Sequence, residues 1–249
     1  MGPTLSTEAS TTTPVNKTSS ISLKENHLKK SKKETIFIFD WDDTLMCTSF
    51  ISLKNQKLSK EEKNMILNLG EKVSSFIMHC KEYGKIIILT NSSENWVKTT
   101  SKENLGINDI NELGIKIIST RDKYIKKDID KKKWKETALN EIINKYKDNI
   151  DNIICASDSF KDINVFKQFM EKYKDINFST IKFKRRPSPL IMIKEIKYLI
   201  ECIDKIIGTN KNYYLMKEDV DKELKYDDDN NNNEFNFLFG NLFDYIFKN

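Results

Sequence analysis

Ile36 to Phe39, in the stretch TIFIFDWDDTL, are consecutive apolar residues that end without transition in Asp40, Asp42 and Asp43, followed by Thr44. An unbroken β-branched and aromatic run predicts a strand buried on both faces, not an alternating strand with one wet side. Ionised carboxylates are costly beside such a strand unless a cation or hydrogen-bond donors hold them. The chain is thus constrained twice: layers must cover both faces of a sheet, and something at the end of the first strand must want acid.

The same pattern recurs. A helix is expected from about Lys60 to Glu82, with Met65, Ile66, Leu69, Val73, Phe76, Ile77 and Cys80 on one face and Gly84 as its stop. Ile86 to Leu89 form a second buried strand ending in Thr90, and a helix around Glu94 to Asn104 leads to a third strand, Ile115 to Thr120. A Lys-rich loop, Lys123 to Lys135, precedes a helix carrying Trp134, Ala138, Leu139, Ile142 and Ile143. NIICASDSFKD and FSTIKFKRRP hold the fourth and fifth strands, and Pro189 opens the last helix, with Ile193, Ile196, Ile200, Ile203 and Ile207 inward. The expected class is α/β: a three-layer, Rossmann-like fold with a central parallel sheet of about five strands and helices on both faces.

With 249 residues there is room for one such domain and tails. Residues 1–33 are Ser/Thr-rich and then Lys-rich, too poor in apolar residues to offset the entropy of ordering, and are expected to be a disordered tail. The domain is placed at 34–216, an acidic, Asn-rich linker at 217–234, and an aromatic amphipathic helix at 235–249. A net charge of +5 on a chain that is 32% charged, with Lys spread along it, argues against a nucleic-acid partner. Cys47, Cys80, Cys155 and Cys202 lack CxxC spacing and read as reduced thiols. No apolar stretch is long enough to span a bilayer, and the N-terminus lacks the apolar core of a signal peptide. An intracellular, cytoplasmic location is expected, with the nucleus left open and secretion not.

Chemistry in a parallel sheet gathers beyond the carboxyl ends of its strands. Strand one delivers Asp40 and Asp42 there, strand two Thr90 and Asn91, strand four Ser157, Asp158 and Asp162. Carboxylates at one edge repel each other unless a cation sits among them, and hard oxygen ligands suit Mg2+. Thr90 and Asn91 add a hydroxyl and an amide just before a helix whose free N–H groups favour phosphate. Metal and anion sites together point to phosphoryl chemistry. Blander readings are kept for Asp43, an exposed turn residue, for Trp41 and Trp96, aromatic packing, and for Arg185 and Arg186, a solvated loop.

These residues carry a resemblance. FIFDWDDTL resembles the first motif of the haloacid dehalogenase-like (HAD) hydrolase superfamily, IIILTN the second, and IICASDSFKD the fourth, while KKKWKETAL supplies the third-motif lysine. FDWDDTL, TNSSENWV and WKETAL further resemble a eukaryotic subgroup of that superfamily. The resemblance covers about Thr35 to Met216. It implies a HAD-like fold and a phosphatase in which Asp40 attacks phosphorus, Asp42 serves as acid and then base, and Thr90, Asn91 and Lys135 bind phosphoryl oxygens. It further implies Mg2+ held by Asp40, the Asp42 carbonyl and Asp158, with Asp162 beside them. Lys135 has rivals in Lys131, Lys132 and Lys133; only the WK wording singles it out.

Many members of that superfamily carry a cap domain after the first or second motif. The segments Leu45 to Lys85 and Ser92 to Trp134 leave no room for one. An open site favours a large substrate, most plausibly a phosphoprotein, by family analogy. An idle HAD-like scaffold is the alternative, and a nucleic-acid-end phosphatase, supported by the Lys-rich loop alone, is a further one. Beyond the resemblance, Phe235, Leu238, Phe239, Leu242, Phe243 and Ile246 repeat at helical spacing in a helix from Phe235 to Phe247, expected to dock on a protein partner.

Overall fold

The first strand, β1 (Glu34–Phe39), has side chains that alternate between two cores. Phe37 and Phe39 pack with Leu69, Val73 and Phe76 of α2 (Lys60–Lys81) and with Ile196, Leu199 and Ile203 of α7 (Pro189–Gly208). Ile36 and Ile38 pack on the other side, against Leu139, Ile142 and Ile143 of α5 (Trp134–Tyr146) and Ile163 and Phe166 of α6 (Phe160–Lys172). This is the two-residue period of a strand covered on both faces. Each fully buried side chain of this size contributes about 1.5–3 kcal/mol, so the register of β1 is strongly specified.

The computed structural model describes residues 34–54, 57–208 and 213–216. The expected N-terminal tail, acidic linker and C-terminal helix lie outside the described residues. The other strands are β2 (Gly84–Thr90), β3 (Lys116–Ser119), β4 (Ile150–Ser157), β5 (Asn177–Lys182) and β6 (Tyr213–Met216). All pair in parallel, in the order β3-β2-β1-β4-β5-β6. The α/β class and the helix-covered parallel sheet expected from the sequence are therefore present, with six strands in place of about five. The added strand, β6, is the four-residue run YYLM, too short to signal itself. The order reverses between β1 and β4, so the crevice beyond their carboxyl ends is the switch point where sheets of this kind bind ligands.

Other boundaries shift for local reasons. α2 begins in a full capping box, in which Ser59 and Glu62 satisfy each other's backbone N–H groups, and ends at Lys81. Gly84 is not its stop but the first residue of β2, where a Cβ would collide with the Thr35 carbonyl oxygen of β1. A short helix, α1 (Thr48–Leu53), precedes α2, and α3 (Glu94–Glu103) follows β2. α4 (Thr120–Tyr124) follows β3 directly and runs into the Lys-rich loop, which includes a 3-10 turn at Lys131–Lys133. Cys47, Cys80 and Cys155 are free, buried thiols, and burial pushes Cys47 up to about 12. Among the described residues no helix is long and apolar enough to cross a membrane.

Candidate active site

Asp40 follows β1 directly and continues its ladder, donating its N–H to the Ala156 carbonyl of β4 at 3.0 Å. Its side chain is therefore delivered to the switch point by the sheet itself. Asp40 Oδ1 accepts from the Trp41 N–H at 2.8 Å, and Oδ2 lies 2.7 Å from Lys135 Nζ. Lys135, the second residue of α5, also reaches Asp162 Oδ2 at 2.5 Å. Ser157 Oγ, at the end of β4, lies 2.9 Å from Asp162 Oδ2 and 3.4 Å from Asp40 Oδ2, so its single proton belongs to Asp162. Asp40, Lys135 and Asp162 are each less than a tenth exposed.

Burial pushes Asp40 up to about 7 against the pull of Lys135, with Asp162 adding to the rise. For Lys135 burial works against the charge, yet Asp40 and then Asp162 more than offset it and hold the ammonium above its ordinary value. The short contact to a lysine shared with a second carboxylate favours the charged pair, because the ammonium would otherwise be buried with one partner fewer. Lys131, Lys132 and Lys133 are exposed on the 3-10 turn, so Lys135 is the lysine that enters the cluster.

Asp42 has separate surroundings. Thr48 Oγ1 donates to its Oδ1 at 2.7 Å, Trp96 Nε1 to the same oxygen at 2.9 Å, and Ser92 Oγ to Oδ2 at 2.6 Å. Among the described residues Asp42 and Asp40 share no hydrogen-bond partner. Between them, Trp41 is fully buried and its indole N–H reaches Thr100 Oγ1 at 3.0 Å, the packing role expected for it. Trp96 departs from expectation: it is 40% exposed, and its indole reaches an acid at the site.

Asp43 also departs from the exposed turn residue expected. It occupies the turn, with φ of +55°, but it is 7% exposed. Ser49 accounts for this, donating its N–H to Asp43 Oδ1 at 2.8 Å and its hydroxyl to Oδ2 at 2.5 Å. The carboxylate thereby turns inward to tie down the start of α1. Beside it, the Asp158 N–H donates to Thr44 Oγ1 at 3.0 Å, which ties the loop after β4 to the loop after β1. The Asp158 carboxylate makes no hydrogen bond among the described residues. Burial, then the nearby Asp43, pushes it up to about 6, with Lys135 and Lys182 pulling the other way.

The remaining residues expected at the site divide. Thr90 is buried at the end of β2, and its Oγ1 accepts the Ser92 N–H at 3.0 Å. Asn91 is exposed, and its amide oxygen accepts from Thr120 Oγ1 at 2.6 Å. The first turn of α3 is capped by Ser93, which takes the Trp96 N–H. Arg185 and Arg186 are exposed, as a solvated loop would be. The sequence reading gave no role to Thr48, Ser92 or Lys182. Lys182 ends β5, donates to the Phe183 carbonyl at 2.6 Å and lies 4.5 Å from the Phe160 ring centroid. Hydroxyls and lysines are too common for spacing alone to flag them.

The described residues hold no group of three or more Asp, Glu, His or Cys side chains gathered to grip a metal ion. Asp162 is occupied by Lys135 and Ser157. What is present suits Mg2+ in another way, since that ion takes one or two carboxylates and completes its shell with water and substrate oxygens. Asp158, raised by burial and with no hydrogen-bond donor on its carboxylate among the described residues, has the chemistry such a ligand would need, and Asp40 and the Asp42 carbonyl would be its companions. No protein-family model, no curated protein and no solved structure matches the chain.

Proposed function

We propose that the protein is a magnesium-dependent phosphoric monoester hydrolase of the HAD type, forming an aspartyl phosphate on Asp40. The observation that carries this reading is the Asp40–Lys135–Asp162 cluster at the switch point. A carboxylate there is desolvated and fixed through Oδ1 by the Trp41 N–H, with an ammonium 2.7 Å from Oδ2. Desolvation keeps the nucleophile reactive, and the ammonium offsets negative charge that a phosphoryl group brings. Asp42, held apart from the cluster, is free to give a proton to the leaving oxygen and take one from water. Thr90, at the end of the neighbouring strand, would take a phosphoryl oxygen. Asp162 serves to aim Lys135. Mg2+, held by Asp40, Asp158 and the Asp42 carbonyl, would neutralise phosphoryl oxygens when bound.

A large substrate such as a phosphoprotein fits the architecture. The described residues between β1 and β2 form only α1 and α2, and those between β2 and β3 only α3 and a 3-10 turn at Ile110–Leu113. Neither insertion builds a domain. Support for a nucleic-acid-end substrate weakens, because Lys123 pairs with Glu141, and Lys127 lies over the Tyr124 ring. The deciding experiment is magnesium-dependent hydrolysis of an aryl phosphate by wild type and Asp40→Asn. Asp40→Asn is expected to lose at least about a thousand-fold in kcat, the scale of removing a nucleophile. It should remain folded, because Lys135 keeps Asp162. Wild-type turnover in Asp40→Asn would overturn the mechanism, and an inert wild type would leave the idle-scaffold reading.

A further inference from the structure

We propose that Trp96, together with Thr48, is a positioning residue for Asp42: the two hold its carboxyl through Oδ1 and leave Oδ2 as the oxygen that exchanges a proton with the leaving group. The proposal rests on the phosphatase reading above and deepens it. Its starting point is the unequal division of donors, two on Oδ1 and one on Oδ2.

The donors also differ in kind. An indole N–H only donates, so Trp96 needs an acceptor at Oδ1. The Ser92 hydroxyl can donate to an ionised Oδ2 or rotate and accept from a protonated one. One oxygen is thus reserved as an acceptor, and the other can change state without losing its partner.

The indole is anchored to the loop that carries both acids. Thr100 Oγ1 accepts from Trp41 Nε1 at 3.0 Å and donates to the Trp96 carbonyl at 2.7 Å. Trp41 stands between Asp40 and Asp42 in the chain, so the two tryptophans are linked through one hydroxyl. Ser93 holds the Trp96 N–H at 3.1 Å from the other side. A Trp fixed at its backbone and partly exposed presents its N–H to Asp42 from a set position.

As an Asp40 oxygen bonds to phosphorus and the bond from phosphorus to the ester oxygen breaks, the proton on Asp42 Oδ2 passes to that oxygen. The alcohol leaves neutral and Asp42 is left a carboxylate. Water then gives a proton to Oδ2 as its oxygen bonds to phosphorus and the Asp40–phosphorus bond breaks. That proton matters most when the leaving oxygen is strongly basic.

The test uses the full chain with magnesium and a series of aryl phosphates of graded leaving-group acidity, comparing wild type with Trp96→Phe and Thr48→Val. Trp96→Phe keeps a ring and removes the N–H; Thr48→Val keeps the shape and removes the hydroxyl. The expected loss in kcat/KM, which reports the steps up to release of the alcohol, grows from about 3-fold for p-nitrophenyl phosphate to about 30-fold for phenyl phosphate, a part of the roughly 10²–10⁴-fold that general acid catalysis contributes in full. Equal losses across the series, or no loss, would each overturn the positioning role while leaving the phosphatase reading in place. A wild type inert towards every ester overturns both. Should Trp96→Phe melt too low to assay, Thr48→Val decides the matter on the same slope.

Discussion

Around Asp40 the protein gathers an ammonium, a second carboxylate and a serine hydroxyl, nearly closed to solvent. Around Asp42, two residues on, it gathers two hydroxyls and an indole at a half-exposed rim. The inner acid can stay charged only because a cation comes with it, since an unpaired buried carboxylate is among the costliest things a fold can contain. The outer acid keeps water within reach and needs only neutral donors. Taking the cation out of the inner set should therefore be felt first in folding, and breaking the outer set first in chemistry.

Lys135→Met is the sharpest way to break that contrast. It leaves Asp40 and Asp162 buried without their cation, and a loss of about 3–5 kcal/mol in unfolding free energy is expected at pH 7. Denaturant titration measures it. Partial recovery at low pH, where the two carboxyls protonate, should accompany the loss. An unchanged midpoint at pH 7 would show that the inner cluster does not depend on charge.

The inner and outer sets were unequally legible. Asp40 was readable because its strand is continuous and apolar, so the position of the acid follows from where the run ends. Lys135 was not separable from Lys131, Lys132 and Lys133 by composition; what separates them is that the 3-10 turn ends at Lys133 and α5 then carries Lys135 inward. Asp43 was placed in a turn, as its left-handed backbone shows, yet its burial depends on Ser49, six residues later, bending back to it. Trp96 meets Asp42 across a sequence separation of 54. A helical repeat shows only that an aromatic residue has some neighbour, not which one. β6 pairs through backbone groups, for which a four-residue run carries little pattern.

Asp158 shares no hydrogen-bond partner with either set among the described residues, and its pH dependence offers an effect of intermediate size. Its carboxyl is raised from 3.8 to about 6, burial first and Asp43 second, so it binds a proton more tightly in the folded than in the unfolded chain. Folding takes up a proton in that window. The contribution to stability is full below about pH 4 and is lost as pH rises through 6. Discounted for its contact with solvent, it is about 1 kcal/mol. Metal-free protein should show this slope, Asp158→Asn should flatten it, and magnesium should offset it at pH 7 but not at pH 4. A slope unchanged in Asp158→Asn would assign the proton to another group, Asp40 first.

The smallest expected stability change comes from the outer set, and it completes the contrast. Ser92→Ala removes the hydroxyl that lies 2.6 Å from Asp42 Oδ2 while leaving Thr48 and Trp96 on Oδ1. Asp42 is partly open to solvent, so water can replace the lost donor and no buried charge is stranded. The backbone geometry that turns β2 into α3 is unaffected, because it is the Ser92 N–H, not its hydroxyl, that binds Thr90 Oγ1. A loss of about 0.5–1 kcal/mol is therefore expected, several times less than for Lys135→Met. Equilibrium unfolding of the two variants side by side gives the ratio directly. If Ser92→Ala were as damaging as Lys135→Met, the rim around Asp42 would be part of what holds the fold together. Its three donors would then have to be read as structural, not as a cradle for a proton in transit.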